Sequence, residues 1–373
     1  MPGSPVTILL APDKFKGTLS AAEVTAALTR GIRRTLPTAQ ILGVPVADGG
    51  DGTVAAALAG GFTEHTAEVT GPVGRAVSAR WAQRGPDAVL ELAESSGLQL
   101  LAGSGPDHDR SSTRGLGELI AAAIDAGAHR LLIGIGGSAG TDLGAGLLQA
   151  LGARLEDADG EPIPAGFTGL ARLAVADLAP ARTIVAGTRI TIASDVTNPL
   201  IGPDGAAAVY GPQKGLAPSR IRAADRVLTA AARILDPGGD LASRPGAGAA
   251  GGTGFALLAL GAAMRSGADA VLGMTGFDAA LARADVVVTG EGRLDEQTLH
   301  GKGPGEVARR ARAVGVPVLA VAGEITLDPA RLQDLGVEQA WSLLERAHDH
   351  EQARLEAGPL LEELGADLGA HLA

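Results

Sequence analysis

Short, unbroken apolar runs alternate along this chain with alanine-rich, arginine-studded stretches of helical length. The runs are Val6–Leu10, Ile41–Val46, Arg130–Ile135, Ile190–Ala193, Asp285–Thr289 and Pro317–Ala322. A run that is apolar at successive positions, rather than at alternate ones, suits a strand covered on both faces. Strand, glycine-bearing turn and helix in repetition predict an α/β architecture with parallel sheets. Ligands of such sheets bind beyond the carboxyl ends of the strands, so the polar residues that follow each run carry the functional weight. Between Thr66 and Leu92 the pattern changes to three short strands, Thr66–Val69, Ala76–Trp81 and Ala88–Leu92, separated by Gly-Pro turns, which predicts an antiparallel meander. The 373 residues suggest two domains. The shift near residue 70 and the return of the first pattern near Asp285 place one domain at 1–70 and 285–373, with 71–284 inserted.

Composition excludes several classes. A net charge of −11 argues against nucleic acid and against an anionic membrane surface. Zero cysteines remove disulfides, thiolate metal sites and thiol catalysis. The seven histidines are scattered, and none pairs at HxxxH spacing; His348 and His350 read as solvated surface. The one uncharged stretch of membrane-spanning length, Pro245–Met264, is too rich in glycine for a span and reads as a loop feeding a buried helix. Residues Met1–Val6 show no secretory signal, and a cytoplasmic location is the expectation.

The chain uses 27 arginines and only four lysines. Lys14 and Lys16 lie in Ala11-Pro-Asp-Lys-Phe-Lys-Gly17, Lys214 in Gly211-Pro-Gln-Lys-Gly215, and Lys302 in His300-Gly-Lys-Gly303. Each sits within two residues of a glycine. An ammonium is a compact point charge that can meet one phosphate oxygen in a tight space, whereas guanidinium is a broad fork. Turn composition by itself also brings Lys and Gly together.

Other polar groups also follow strands. Asp48 and Asp51 bracket Gly-Gly after the second run; two carboxylates so spaced suit a hard cation such as Mg²⁺, and equally an Asx turn or helix cap. Ile133-Gly-Ile-Gly-Gly-Ser-Ala139 is a glycine turn before an expected helix at Asp142–Leu151, a place for a phosphate or carboxylate on Gly136, Gly137 and Ser138. Its Gly134-x-Gly136-x-x-Ala139 spacing is also a loose dinucleotide fingerprint, without an acidic ribose partner. Asp195 and Asn198, the only asparagine, follow Ile190–Ala193 as a candidate base and a candidate donor to a small polar substrate, or as an Asn-Pro turn. Glu291, Arg293 and Asp295 close another strand as an ion-pair cluster or a phosphate site. No P-loop, protein-kinase signature or Gly-x-Ser-x-Gly elbow occurs.

Taken together, the segments resemble the bacterial glycerate kinase family of the two-domain type, neither ribokinase-like nor P-loop, along nearly the whole chain. The resemblance is carried by Ala11–Thr18, Val46–Thr53, Glu91–Gly97, Ser112–Glu118, Gly134–Ala139, Ser194–Leu200, Gly211–Gly215, Gly248–Gly252, Thr289–Asp295 and Gln297–Lys302, in family order. One stretch departs: where the family usually reads Thr-Asn-Asp-Gly-Gly, this chain reads Gly140-Thr-Asp-Leu-Gly144. The resemblance implies a parallel flavodoxin/Rossmann-like sheet built from both chain ends, an inserted mixed α/β domain, and an active site in the cleft. It implies ATP-dependent phosphorylation of D-glycerate with Mg²⁺, weakly favouring 2-phosphoglycerate. Its implied roles are Asp195 as base, Lys14 and Lys16 on phosphate oxygens, and Asp48 and Asp51 on Mg²⁺. Ser138 and its turn would bind carboxylate or phosphate, and Lys214, Arg293 and Lys302 would complete the anion-binding wall; exchanging Asp48 with Asp195 is equally compatible. A nicotinamide-dependent oxidoreductase and a non-catalytic organic-acid binding protein are the competing expectations.

Overall fold

The computed structural model describes residues 5–299 and 303–373. The chain forms two compact units. The first comprises Met1–Asp48, Ala55–Phe62 and Gly267–Ala373; the second comprises Gly49–Val54 and Thr63–Ser266.

The first unit is a five-stranded sheet in the order Val337–Ser342, Val318–Ile325, Val286–Leu294, Thr7–Pro12, Gln40–Gly43, parallel throughout. The unbroken apolar runs have a direct cause here. Side chains alternate across a strand, so Ile8 and Leu10 enter one core with Val24, Leu28 and Leu361. Leu9 and Ala11 enter the core on the other side with Leu272, Phe277 and Val307. The Ala21–Thr35 helix begins at a capping box, in which Ser20 N–H donates to Glu23 Oε2 at 2.8 Å and Ser20 Oγ accepts from Glu23 N–H. It meets the Ala357–His371 helix backbone to backbone. A Cβ on Gly31 would overlap Glu362 O, and one on Gly365 would lie 2.6 Å from Leu28 O.

The second unit is a six-stranded mixed sheet, ordered Ala263–Arg265, Arg189–Ala193, Arg130–Gly134, Asp87–Glu91, Ala76–Arg84, Thr63–Thr70. The first four strands are parallel and the last two antiparallel. A small hairpin joins Arg154–Glu156 to Val175–Asp177.

The expected meander is present, with its first two strands longer and the third shifted by one residue. The chain crosses between the units at 48/49, 54/55, 62/63 and 266/267. The Thr63–Thr70 strand pairs along its whole length with Ala76–Arg84, which ties it to the second unit. The helix expected at Asp142–Leu151 spans only Ala145–Ala150, because Leu143 (φ 56°) and Gly144 (φ 72°) have left-handed backbone.

Candidate functional site

In the first unit, polar residues collect where the Thr7–Pro12 and Val286–Leu294 strands end. Asp13 N–H donates to Gly290 O at 2.7 Å, and Asp13 Oδ1 accepts the Lys14 N–H at 2.6 Å. Asp13 is buried. Burial, reinforced by the charges of Asp48 and Glu291, raises its pKa to about 7 against the Lys14 N–H and ammonium, which lower it. Glu291 Oε1 accepts the Thr298 hydroxyl at 2.7 Å. Asp295 Oδ1 accepts the Gln297 N–H at 2.8 Å and so begins the short Glu296–Leu299 helix. Arg293 pairs with Glu324 at 3.3 Å. Lys16 is exposed and lines a cavity of about 150 Å³ with Phe15, Gly292 and Arg354. Lys302 lies outside the described residues.

In the second unit, Gly49 and Gly50 thread over the carboxyl ends of two strands. A Cβ on Gly49 would overlap Ala193 O; one on Gly134 would lie 2.6 Å from Gly49 O, and one on Gly136 would lie 2.6 Å from Gly50 Cα. Gly136 N–H donates to Gly49 O at 3.3 Å. These glycines therefore admit a neighbouring backbone, which removes the structural basis of the dinucleotide fingerprint. The turn does not open directly into a helix either. Asp51 and Asp48 have different acidic neighbours: Asp51 acts on Glu91, as Asp48 does on Asp13. Glu91 is buried at its strand end, its Oε1 accepts Val54 N–H at 2.9 Å, and burial raises its pKa to about 7, with the Glu94 and Asp51 charges adding to the effect.

Lys214 is 1% exposed. Its Nζ donates to Ser138 Oγ and to Gly140 O, both at 2.6 Å. Burial lowers its pKa to about 7, and the nearby Asp142 charge opposes that shift. Asp142 itself accepts from Thr113 N–H at 2.9 Å, from the Ser112 and Thr113 hydroxyls, and from the N–H groups of Gly144 and Gly146. The start of the Ala145–Ala150 helix is thereby satisfied from within the protein. Lys214 and Ser138 open onto a cavity of about 210 Å³, lined also by Gly136, Gly137, Ser194 and Tyr210.

Asn198 is committed elsewhere than expected. Its Nδ2 donates to Asp204 O at 2.8 Å, and its Oδ1 accepts the Tyr210 hydroxyl at 2.7 Å. The only Asn thus orients the only Tyr on the cavity wall. Asp195 is exposed just beyond its strand. Asp13 and Glu91 join the candidate residues from the structure. Position directly at a strand's carboxyl end was the available signal for both, but burial, which distinguishes them, is not written in local sequence. Among the described residues no cluster of three or more metal-ligating side chains occurs, and no helix is long and apolar enough to cross a membrane.

Parallel strands ending in carboxylates and lysines on one unit, and a small cavity floored by a buried ammonium on the other, define a class of α/β protein that handles small anionic ligands. The comparisons with known proteins narrow that class. The model of the glycerate kinase family matches residues 8–373. The chain is 41% identical over 373 residues to the glycerate kinase of Bacillus subtilis (strain 168), covering 98% of this chain and 97% of the relative. It is 42% identical over 344 residues to the glycerate 2-kinase of Escherichia coli (strain K12), covering 90% of each. A crystal structure assigned as a glycerate kinase 2 from Salmonella typhimurium LT2 superposes with a TM-score of 0.87 at 40% identity, covering 99% of this chain and 98% of that one. The chain belongs to the glycerate kinase family and is a kinase; nothing in these relatives favours an oxidoreductase or a non-catalytic binding protein.

Proposed function

We propose that this protein transfers the terminal phosphoryl group of ATP to D-glycerate in the cytoplasm, at the 2-hydroxyl. Family membership supports glycerate as the acceptor, and the name of the Escherichia coli relative supports the 2-position. The observation that carries the reading in this chain is Lys214. A buried ammonium, already bonded to Ser138 Oγ and Gly140 O, faces a cavity of about 210 Å³, which suits the carboxylate of a three-carbon acid.

Phosphoryl transfer asks for positioning and charge neutralisation more than for covalent chemistry. On the second unit, Lys214 and Ser138 hold the glycerate carboxylate, with the Gly136-Gly137 turn as part of the wall. Tyr210, fixed by Asn198, faces the same cavity, and Asp195 accepts the proton of the attacking hydroxyl. On the first unit, Lys14 and Lys16 meet phosphate oxygens of the donor, and Arg293 adds to the positive wall, with Glu291 and Asp295 ordering it. Carboxylate oxygens are the ligand type that Mg²⁺ takes. The mutual repulsion around Asp13, Asp48 and Glu291 is what a divalent cation relieves, so Asp48 would hold the metal on that unit and Asp51 is the second candidate. Bound Mg²⁺ supplies charge neutralisation of the phosphate chain.

Asp195→Asn tests the base assignment. The expected result is loss of turnover with ATP affinity retained. Loss of ATP affinity instead would move Asp195 to the donor or metal site.

A further inference from the structure

The order in which the chain adds strands to the first unit's parallel sheet reverses between the central strands Thr7–Pro12 and Val286–Leu294. From Thr7–Pro12 the chain moves to Gln40–Gly43 on one side; from Val286–Leu294 it moves to Val318–Ile325 and Val337–Ser342 on the other. In open parallel sheets the crevice outside the carboxyl ends at such a reversal is where ligands bind. The cavity of about 150 Å³ sits there.

Its walls have two characters. Phe15, Leu343, Ala353 and Ala357 form an apolar side. Lys16 and Arg354 supply positive charge, and neither makes an ion pair among the described residues. The one acidic residue on the wall, Glu324, is bound to Arg293. The strand ends carry no side chain at the floor: Gly292 would place a Cβ 3.3 Å from Lys16 N, and Gly323 would place one 2.5 Å from Gly292 O. A cavity with an apolar side that includes Phe15, and with the cations Lys16 and Arg354 on the same wall, suits a ligand that joins an apolar ring to an anionic part.

We infer that this cavity takes the purine base of the ATP donor, against Phe15 and Ala353, with Lys16 and Arg354 facing its phosphate chain. The inference rests on the ATP-dependent reading above and adds a base-binding site to it.

Ala353→Leu fills the cavity, and Arg354→Glu, on an exposed helix position, reverses its charge without touching the core. Calorimetric titration of each intact variant with ATP and with inorganic tripolyphosphate separates base from phosphate. Ala353→Leu is expected to weaken ATP at least ~10-fold while leaving tripolyphosphate unchanged, and Arg354→Glu to weaken both. Unchanged ATP affinity in Arg354→Glu, and in an Ala353→Leu protein that melts like wild type, would overturn the inference while leaving ATP as donor. Failure of the wild-type protein to bind ATP would overturn the donor reading itself, and this site with it.

Discussion

At the scale of single residues, Lys214 carries the sharpest consequence. Its folded-state pKa is about 7, below the ordinary lysine value of 10.5, so the free protein loses this ammonium as pH rises through neutrality. A carboxylate ligand favours the charged form. The kcat/KM for glycerate should therefore fall as pH rises above 7. Lys214→Met should abolish that fall and raise KM by ~10- to 100-fold, the equivalent of roughly 1.5–3 kcal/mol for a charge-assisted hydrogen bond. An unchanged pH profile in the variant would remove Lys214 from glycerate binding. Lys14→Arg keeps charge but changes shape, and kcat should fall at least ~10-fold, or ~1.4 kcal/mol. Two residues without catalytic assignments offer a stability test. Leu143 (φ 56°) and Ala250 (φ 54°) adopt left-handed backbone, which costs non-glycine residues roughly 1–2 kcal/mol. Ala250→Gly should stabilise the protein by ~1 kcal/mol. At Leu143, Leu143→Gly should prove more stable than Leu143→Ala in denaturant titrations, the reverse of the usual order.

At the scale of elements, the closest helix contact is also the most exposed to challenge. Gly31 leaves no room for a Cβ against the Glu362 carbonyl, so Gly31→Val should lower stability by ~2–3 kcal/mol through forced separation of the two helices, measured as a shift in the urea midpoint. The strands were legible in sequence because both faces are covered: Ile8, Leu9 and Leu10 are each fully buried, and continuous apolarity marks them. The edge strands Val337–Ser342 and Ala263–Arg265 were not, since each keeps exposed residues and neither shows the continuous apolar signature. The glycine turn after Ile133 is legible in sequence, but what approaches it is not. Glycine marks close approach of any kind, and local sequence does not say whether the visitor is a ligand or, as at Gly134 and Gly136, the chain's own backbone at Gly49 and Gly50.

At the scale of the whole molecule, a net charge of −11 coexists with lysines at ligand-sized cavities on each unit, so the overall charge says little about what the cavities attract. Thr63–Thr70 is tied to its unit by pairing with Ala76–Arg84, and pairing partners are not encoded locally. Lys214 was visible as an unusual lysine; its burial depended on Ser138, Gly140 and Asp142, more than 70 residues away in sequence. The central claim is that this chain moves phosphate from ATP to the 2-hydroxyl of D-glycerate. Incubating the protein with ATP, Mg²⁺ and D-glycerate while following ADP release, and reading the product by phosphorus NMR, tests it most directly. The account predicts glycerate-dependent ADP and a 2-phosphoglycerate resonance. ADP release indifferent to glycerate, or no release at all, would contradict it, and a 3-phosphoglycerate product would contradict the assigned hydroxyl.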